Sequence, residues 1–289
     1  MERILHYEIK ASDDSPTVAC FLKRQGYSSA NLTDLKKMPE SILRNGVWEY
    51  MCSPLATGDL LTVYIQENES SPNIPPVELP LSIIYEDEDL MVINKPGNLP
   101  VHPSVNHFEN TLANGVSWLC RQRNDYFPFR CVNRLDGGTT GLLILAKNVY
   151  SSAILYEQMK ERKIHRTYLA IVSGKLTESG TIDLPIGRKS ESVIERCVDK
   201  THGERAVTHY EVLEARTDQT LVKCQLETGR THQIRVHMQA IGHPLVGDFL
   251  YNPDASKGGR PLLHSWKLAF SHPVSGEAVD FTAPIPEDM

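Results

Sequence analysis

Cys131-Val-Asn-Arg-Leu-Asp-Gly-Gly-Thr-Thr-Gly-Leu-Leu-Ile-Leu-Ala-Lys147 passes from a polar loop into an unbroken apolar run, Leu142 to Ala146. A run that short, entered through Gly and Thr, predicts a strand buried on both faces. Glycines 137, 138 and 141 let the backbone turn tightly and let a ligand come close. Asp136 stands in that turn, after Arg134 and Leu135. A carboxylate at the mouth of a strand is a common way for a rigid scaffold to display a reactive group.

Strand patterns also occur at Ser82–Ile84, Leu90–Asn94, Thr167–Val172, Tyr210–Leu213 and Leu221–Leu226. Helical spacing occurs at Leu112-Val116-Leu119, after Ser151, and at Ile234-Met238-Ile241, the last running from near Thr231 to Gly242. Strands outnumber helices and do not alternate with them, which predicts an α+β domain on a mixed, largely antiparallel sheet over residues 81–289. Residues 67–80 contain Ser70-Ser71-Pro72 and Pro75-Pro76 and read as an extended linker. Ahead of it, residues 1–66 form a small α/β unit. Val18, Phe21 and Leu22 mark one helix ending at Gly26, and Leu32 and Leu35 mark another. Asn45-Gly46 is a hairpin turn, and Leu60 to Ile65 is a strand.

With 289 residues and 40% hydrophobic composition, the chain can bury a full core. Its six cysteines (20, 52, 120, 131, 197 and 224) show neither Cys-x-x-Cys pairs nor dense spacing, and so read as reduced core residues of a cytoplasmic protein. No apolar run nears the roughly 20 residues that span a membrane. The net charge of −6 runs against general nucleic-acid binding. Residues 1–80 carry 7 Lys+Arg against 11 Asp+Glu, leaving −2 for the rest. A nucleic-acid site must then be a local patch, and Lys160, Arg162, Lys163 and Arg166 supply one, opposed only by Glu161.

The order Arg134-Leu135-Asp136, Thr139-Thr140-Gly141, Ala146-Lys147 resembles the signature of the RluA-type pseudouridine synthases. Two blocks resemble further motifs of that family, in the same order: Lys163-Ile-His-Arg-Thr-Tyr-Leu-Ala-Ile-Val172 and Gly229-Arg-Thr-His-Gln-Ile-Arg-Val-His-Met238, the latter continuing to Gly247-Asp248. Ile84 to Gly97 and Val101-His-Pro103 resemble the opening of the catalytic domain, so the likeness spans roughly 81 to 286. It implies an RNA-modifying isomerase that converts specific uridines of rRNA or tRNA to pseudouridine, needs no cofactor or metal, and acts as a monomer. It further implies Asp136 as nucleophile, Tyr168 stacked on the target base, Arg235 as the essential arginine, and Leu263 in the apolar wall of the uracil pocket. Arg134, Arg230 and His232 become substrate-binding residues. Two helices and a hairpin in residues 1–66 resemble the S-four-type RNA-binding module. The chain departs from the family at Asn133, where His is common, and at Gly138, where Asp is common.

Pseudouridine formation detaches uracil at nitrogen-1, turns the ring and rejoins it through carbon-5. A carboxylate can attack ribose carbon-1′ or the ring, or act as a base on the ribose, and the residues leave these routes open. A cation beside Asp136 would hold it charged within a pocket, and Arg235 on the helix is suited to this. Arg235 falls at the edge of the apolar stripe, and the helix start beside Arg230 and His232 would favour a phosphate. His232, His237 and His243 lack metal-binding spacing. A hydrolase built on Asp136 would want a second acid–base residue at motif spacing, and none stands out.

Overall fold

The computed structural model describes residues 1–13, 15–67, 71, 73–104, 108–190, 192–256 and 258–289. It opens with a strand that the sequence pattern did not show, β1 (Glu2–Glu8), followed by helices α1 (Val18–Arg24) and α2 (Ser29–Lys37). Strands β2 (Ile42–Arg44), β3 (Val47–Trp48) and β4 (Leu60–Gln66) complete this unit, and Asn45-Gly46 forms the β2–β3 turn. β1 pairs antiparallel with β4 along its whole length, from Glu2 opposite Gln66 to Glu8 opposite Leu60. Pairing across so long a separation leaves little local signal. Both helices start on side-chain caps, Thr17 for α1 and a Ser28/Asn31 capping box for α2.

The main sheet is built from β5 (Ser82–Glu86), β6 (Leu90–Lys95), β7 (Arg130–Cys131), β8 (Thr140–Ala146), β9 (His165–Ser173), β10 (Gly180–Asp183), β13 (Val207–Ala215), β14 (Gln219–Leu226), β15 (Leu263–Ser271) and β16 (Ala278–Thr282). Its path is β10-β13-β14-β9-β15-β8-β6-β5, with β7 and β16 pairing β8 and β15. β11 (Ile186–Arg188) and β12 (Arg196–Val198) form a separate hairpin. Helices α3 (Leu112–Arg123), α4 (Val149–Lys160) and α5 (Gln233–Ala240) complete the domain. The class is therefore α+β on a mixed, largely antiparallel sheet. All seven residues of β8 are buried, as its apolar run requires.

One pairing positions the site. β8 and β15 run parallel, with His264 opposite Thr140 and Ser265 opposite Gly141. The loop that precedes β8 and the start of β15 therefore meet at one end of the sheet. β9 lies on the other side of β15, and Tyr168 pairs with Ser265. At Gly141 (φ +105°) an added Cβ would fall 2.2 Å from the Ser265 carbonyl oxygen, so only glycine admits this close crossing.

The N-terminal unit is fastened to the main domain. Tyr150 of α4 is buried in the core formed by Val18, Phe21, Leu22, Leu61 and Val63. Arg3 grips Asp89 with two hydrogen bonds, at 3.0 and 2.9 Å. Buried Glu67 accepts from Val149 N (2.8 Å) and Arg130 (2.6 Å). Residues 68–70 and 72 of the expected linker lie outside the described residues. The rest of it follows α3: Ser117 and Asn114 donate to the Ile74 and Pro75 carbonyls.

Candidate active site

The Asp136 loop is clamped from several sides. Thr139 N donates to the Asp136 carbonyl (3.1 Å), closing a tight turn over Gly137-Gly138. Asn133 hitches the loop to β8, its Oδ1 accepting from Ile144 N (2.8 Å) and its Nδ2 donating to the Leu142 carbonyl (3.3 Å). Beneath the turn the fully buried Lys95 donates to the carbonyls of Pro96 (2.8 Å), Leu99 (2.9 Å) and Gly137 (2.9 Å). Burial pushes its ammonium down to about 7, against the raising effect of the Asp136 charge. A Cβ at Gly138 would stand 2.8 Å from Pro261 Cδ, so the proline ring packs directly on the glycine of this turn.

Arg235 sits on α5, which starts and ends within about two residues of the expected limits. It is 4% exposed and so lies within the packed face of the helix rather than at its edge. Its Nε and Nη2 each bond Asp248, at 2.7 Å. Asp248 is fully buried, and this fork leaves Nη1 to point at Asp136 Oδ2, 3.3 Å away. Burial works against the guanidinium charge. The Asp248 bonds and charge outweigh it, with Asp136 adding, and leave the pKa above its ordinary value. The Arg235 guanidinium also lies 5.0 Å from the Tyr251 ring centroid.

His232 caps α5 in the left-handed conformation (φ 59°), an uncommon place for a non-glycine residue. Its Nδ1 is 2.8 Å from the Tyr251 hydroxyl and its Nε2 3.7 Å from Asp136 Oδ2. Burial lowers the imidazole pKa, against the pull of the Asp136 charge. Among the described residues the ion-pair partner of Asp136 is Arg235, and His232 joins it only when its ring is protonated.

A small cavity of about 80 Å³ opens beside Asp136, walled by Tyr168, Leu226, Ile234, Leu263 and Arg235. The Tyr168 ring is buried, and its hydroxyl has no hydrogen-bond partner among the described residues. The cavity leads into a groove of about 870 Å³ whose lining includes Arg134, Lys160, Arg162, Arg166, Arg196 and Arg230. Lys163 lies off this lining, on Glu161 at 2.7 Å. Several of the groove cations meet acids, Lys160 with Glu157 (3.3 Å) and Arg162 with Glu227 (3.8 Å). Such exposed pairs are weak and leave the cations free to turn to phosphates. Arg230 is engaged by Glu204 and by the Arg205 carbonyl, and Arg134 is exposed. A carboxylate beside a slot for a flat apolar ring, at the end of a basic groove, suits one base of a polyanionic strand.

Three parts of this site have no role that sequence spacing reveals, although Asp248 ends the third motif and Lys95 lies within Ile84 to Gly97. Asp248 and Lys95 are ionisable residues of types that seldom lie fully buried, and Tyr251 lies in a loop. Among the described residues one cluster, Asp87, Asp89 and His272, has the spacing to hold a cation. Its atoms are already taken: Asp87 accepts from Tyr85 (2.7 Å) and pairs with His272 (2.8 Å), and Asp89 is held by Arg3, Asn148 and Ser151. His237 likewise pairs with Thr208 (2.9 Å) and the Leu184 carbonyl (2.9 Å).

Residues 89–240 match the family model of RNA pseudouridylate synthase. An uncharacterized RNA pseudouridine synthase of Bacillus subtilis (strain 168), YjbO, is 40% identical over 94% of this chain and 96% of its own. Ribosomal large subunit pseudouridine synthase D of Vibrio cholerae serotype O1 is 40% identical over 80% of this chain and 75% of its own. Among solved structures, human RNA Pseudouridylate Synthase Domain Containing 1 superposes with a TM-score of 0.60 at 31% identity, over 73% of this chain and 85% of that one. Family model, relatives and solved structure agree: the chain belongs to the RNA pseudouridylate synthase family, within its RluA branch, and is an RNA pseudouridine synthase.

Proposed function

We propose that Asp136 is the nucleophile or base of this isomerase, that Arg235 positions it, and that the substrate is a uridine of ribosomal RNA in the cytoplasm, met by a monomer. The observation that carries the assignment is the fixed chain Asp248–Arg235–Asp136, which ends beside an apolar slot. In the reaction the nitrogen-1 to carbon-1′ bond breaks, the freed uracil turns within the slot, and carbon-5 bonds carbon-1′. Carbon-5 then gives up its proton to a base and nitrogen-1 takes one up, so that the product is an isomer of the substrate. Asp136, at the junction of slot and groove, is suited to carbon-1′ or to the ring carbons. The ring turns between Tyr168 and Leu263, while Arg134, Arg230 and His232 flank the strand at the mouth. The name of the Vibrio relative supports ribosomal RNA. Loss of carbon-5 tritium from labelled ribosomal RNA of a strain lacking the gene, incubated with purified protein, tests this reading.

Tyr168 supports the base by stacking, worth roughly 1–3 kcal/mol per base. Tyr168→Phe is expected to cost little activity, since the hydroxyl has no partner among the described residues. Tyr168→Ala is expected to be severe and also to lower stability by about 3–5 kcal/mol through the cavity it leaves in the core. Turnover should therefore be compared in the cold, where both variants remain folded. Equal, severe losses would instead assign the hydroxyl a proton-carrying or hydrogen-bonding role.

We further propose that residues 1–66 dock RNA while residues 81–289 hold the chemistry, with 67–80 joining them. Deleting 1–66 should weaken RNA binding and leave the pocket intact. Because Tyr150, Val149 and Ile154 pack into the N-terminal core, the shortened protein should melt at a lower temperature. Unchanged RNA affinity in a folded fragment would dismiss this division of labour.

A further inference from the structure

Buried polar side-chain atoms with no hydrogen-bond partner are few here: Ser15 Oγ, Thr139 Oγ1, Arg166 Nε and His264 Nε2 among the described residues. Two of the four, Thr139 and Arg166, line the small cavity beside Asp136. A buried donor without a partner is held against stability, and its retention calls for a ligand or a role. The neighbour Thr140 shows the contrast, since its hydroxyl turns the other way and meets His264 Nδ1 at 2.8 Å.

Arg166 lines both the cavity and the basic groove. It lies two residues before Tyr168 on β9, so both side chains leave the same face of the strand, about 7 Å apart along it. The tyrosine thus lies deeper, at the base slot, and the arginine nearer the rim. The guanidinium rests over Gly229: a Cβ there would stand 3.4 Å from both Nη1 and Nη2. Unlike Lys160, Arg162 and Arg230, whose charges meet acids, Arg166 has no carboxylate partner among the described residues.

We propose that Arg166 is a substrate-positioning residue that grips the backbone phosphate of the target nucleotide at the rim of the slot, so that the base enters against Tyr168. The cation kept clear of acids, the orphan Nε and the bare Gly229 beneath it form a fork for phosphate oxygens. This rests on the placement of the uridine beside Asp136.

The test uses the full chain with Arg166→Met, which keeps an unbranched side chain and removes the orphan donor. The melting temperature is expected to hold or rise. Binding of a fluorescein-labelled oligouridylate is then followed across roughly 50 to 200 mM salt. The slope of log affinity against log salt should shrink by about 0.7, the loss of one single-strand phosphate contact. On tritium-labelled ribosomal RNA the half-saturating concentration should rise roughly tenfold or more, with maximal turnover nearly kept, as when binding common to ground and transition states is lost. Arg166→Lys should restore the slope but only part of the affinity. An unchanged slope and half-saturation would overturn the proposal. So would a lower melting temperature with a parallel loss of maximal turnover, which would mark a structural residue. Oligouridylate binding does not depend on turnover, so failure of the Asp136 assignment would show separately, as tritium release that survives the loss of the Asp136 carboxylate.

Discussion

Asp136→Asn is expected to abolish tritium release from ribosomal RNA, by roughly 10⁴-fold or more, as when other enzymes lose a reacting side chain. The substitution keeps the shape of the side chain and removes the charge and basicity that attack on carbon-1′ or on the ring requires. The fold should not register it. Arg235 keeps both of its bonds to Asp248, and the turn is closed by the backbone of Asp136 and Thr139 rather than by the carboxylate. RNA binding should stay within about tenfold, or about 1.4 kcal/mol, because most contacts lie along the groove. The assay is tritium release with the melting curve and oligouridylate affinity measured on the same preparation. Wild-type turnover by the variant would remove Asp136 from the chemistry, although the family assignment would stand.

How much of this could be read from the sequence depended on whether a residue's partner was local. The β8 run could be read because all of its residues are buried, and a strand buried on both faces leaves a continuous apolar word. Asp136, Tyr168, Leu263 and Arg235, marked by motif resemblance, line one cavity in the folded chain. β15 could not be read as a strand, although it lies mid-sheet between β9 and β8. After Leu263 it continues with His264 and Ser265, buried polar residues whose side chains bond Thr140 and the Leu142 carbonyl, far away in sequence. β1 was hidden for the same reason, since its partner is β4. The burial of Arg235 also departs from helical periodicity. A guanidinium enters the packed face only because Asp248 waits there, and no spacing rule announces that pair.

That pair sets the second large effect. Arg235→Ala leaves the Asp248 carboxylate fully buried with Leu250 N (3.1 Å) as its remaining donor among the described residues, an arrangement expected to cost about 3–5 kcal/mol of stability. Turnover should fall as well, because Asp136 loses the group that fixes its position. Asp248→Ala should be comparably destabilising, since it strands the guanidinium with Asp136 at 3.3 Å and the Tyr251 face as its remaining partners. Arg235→Lys should recover part of the stability and little activity, because one ammonium cannot span both Asp248 oxygens and still reach Asp136. The double change Arg235→Ala with Asp248→Ala separates the two roles. With neither charge left uncompensated, its loss of stability should be smaller than the sum of the two single losses, a non-additivity read by denaturant titration. Its tritium release should stay as low as that of Arg235→Ala alone. Recovery of turnover along with stability would show that Arg235 serves the fold and not the reaction, and Asp136 would then need another group to hold it in place.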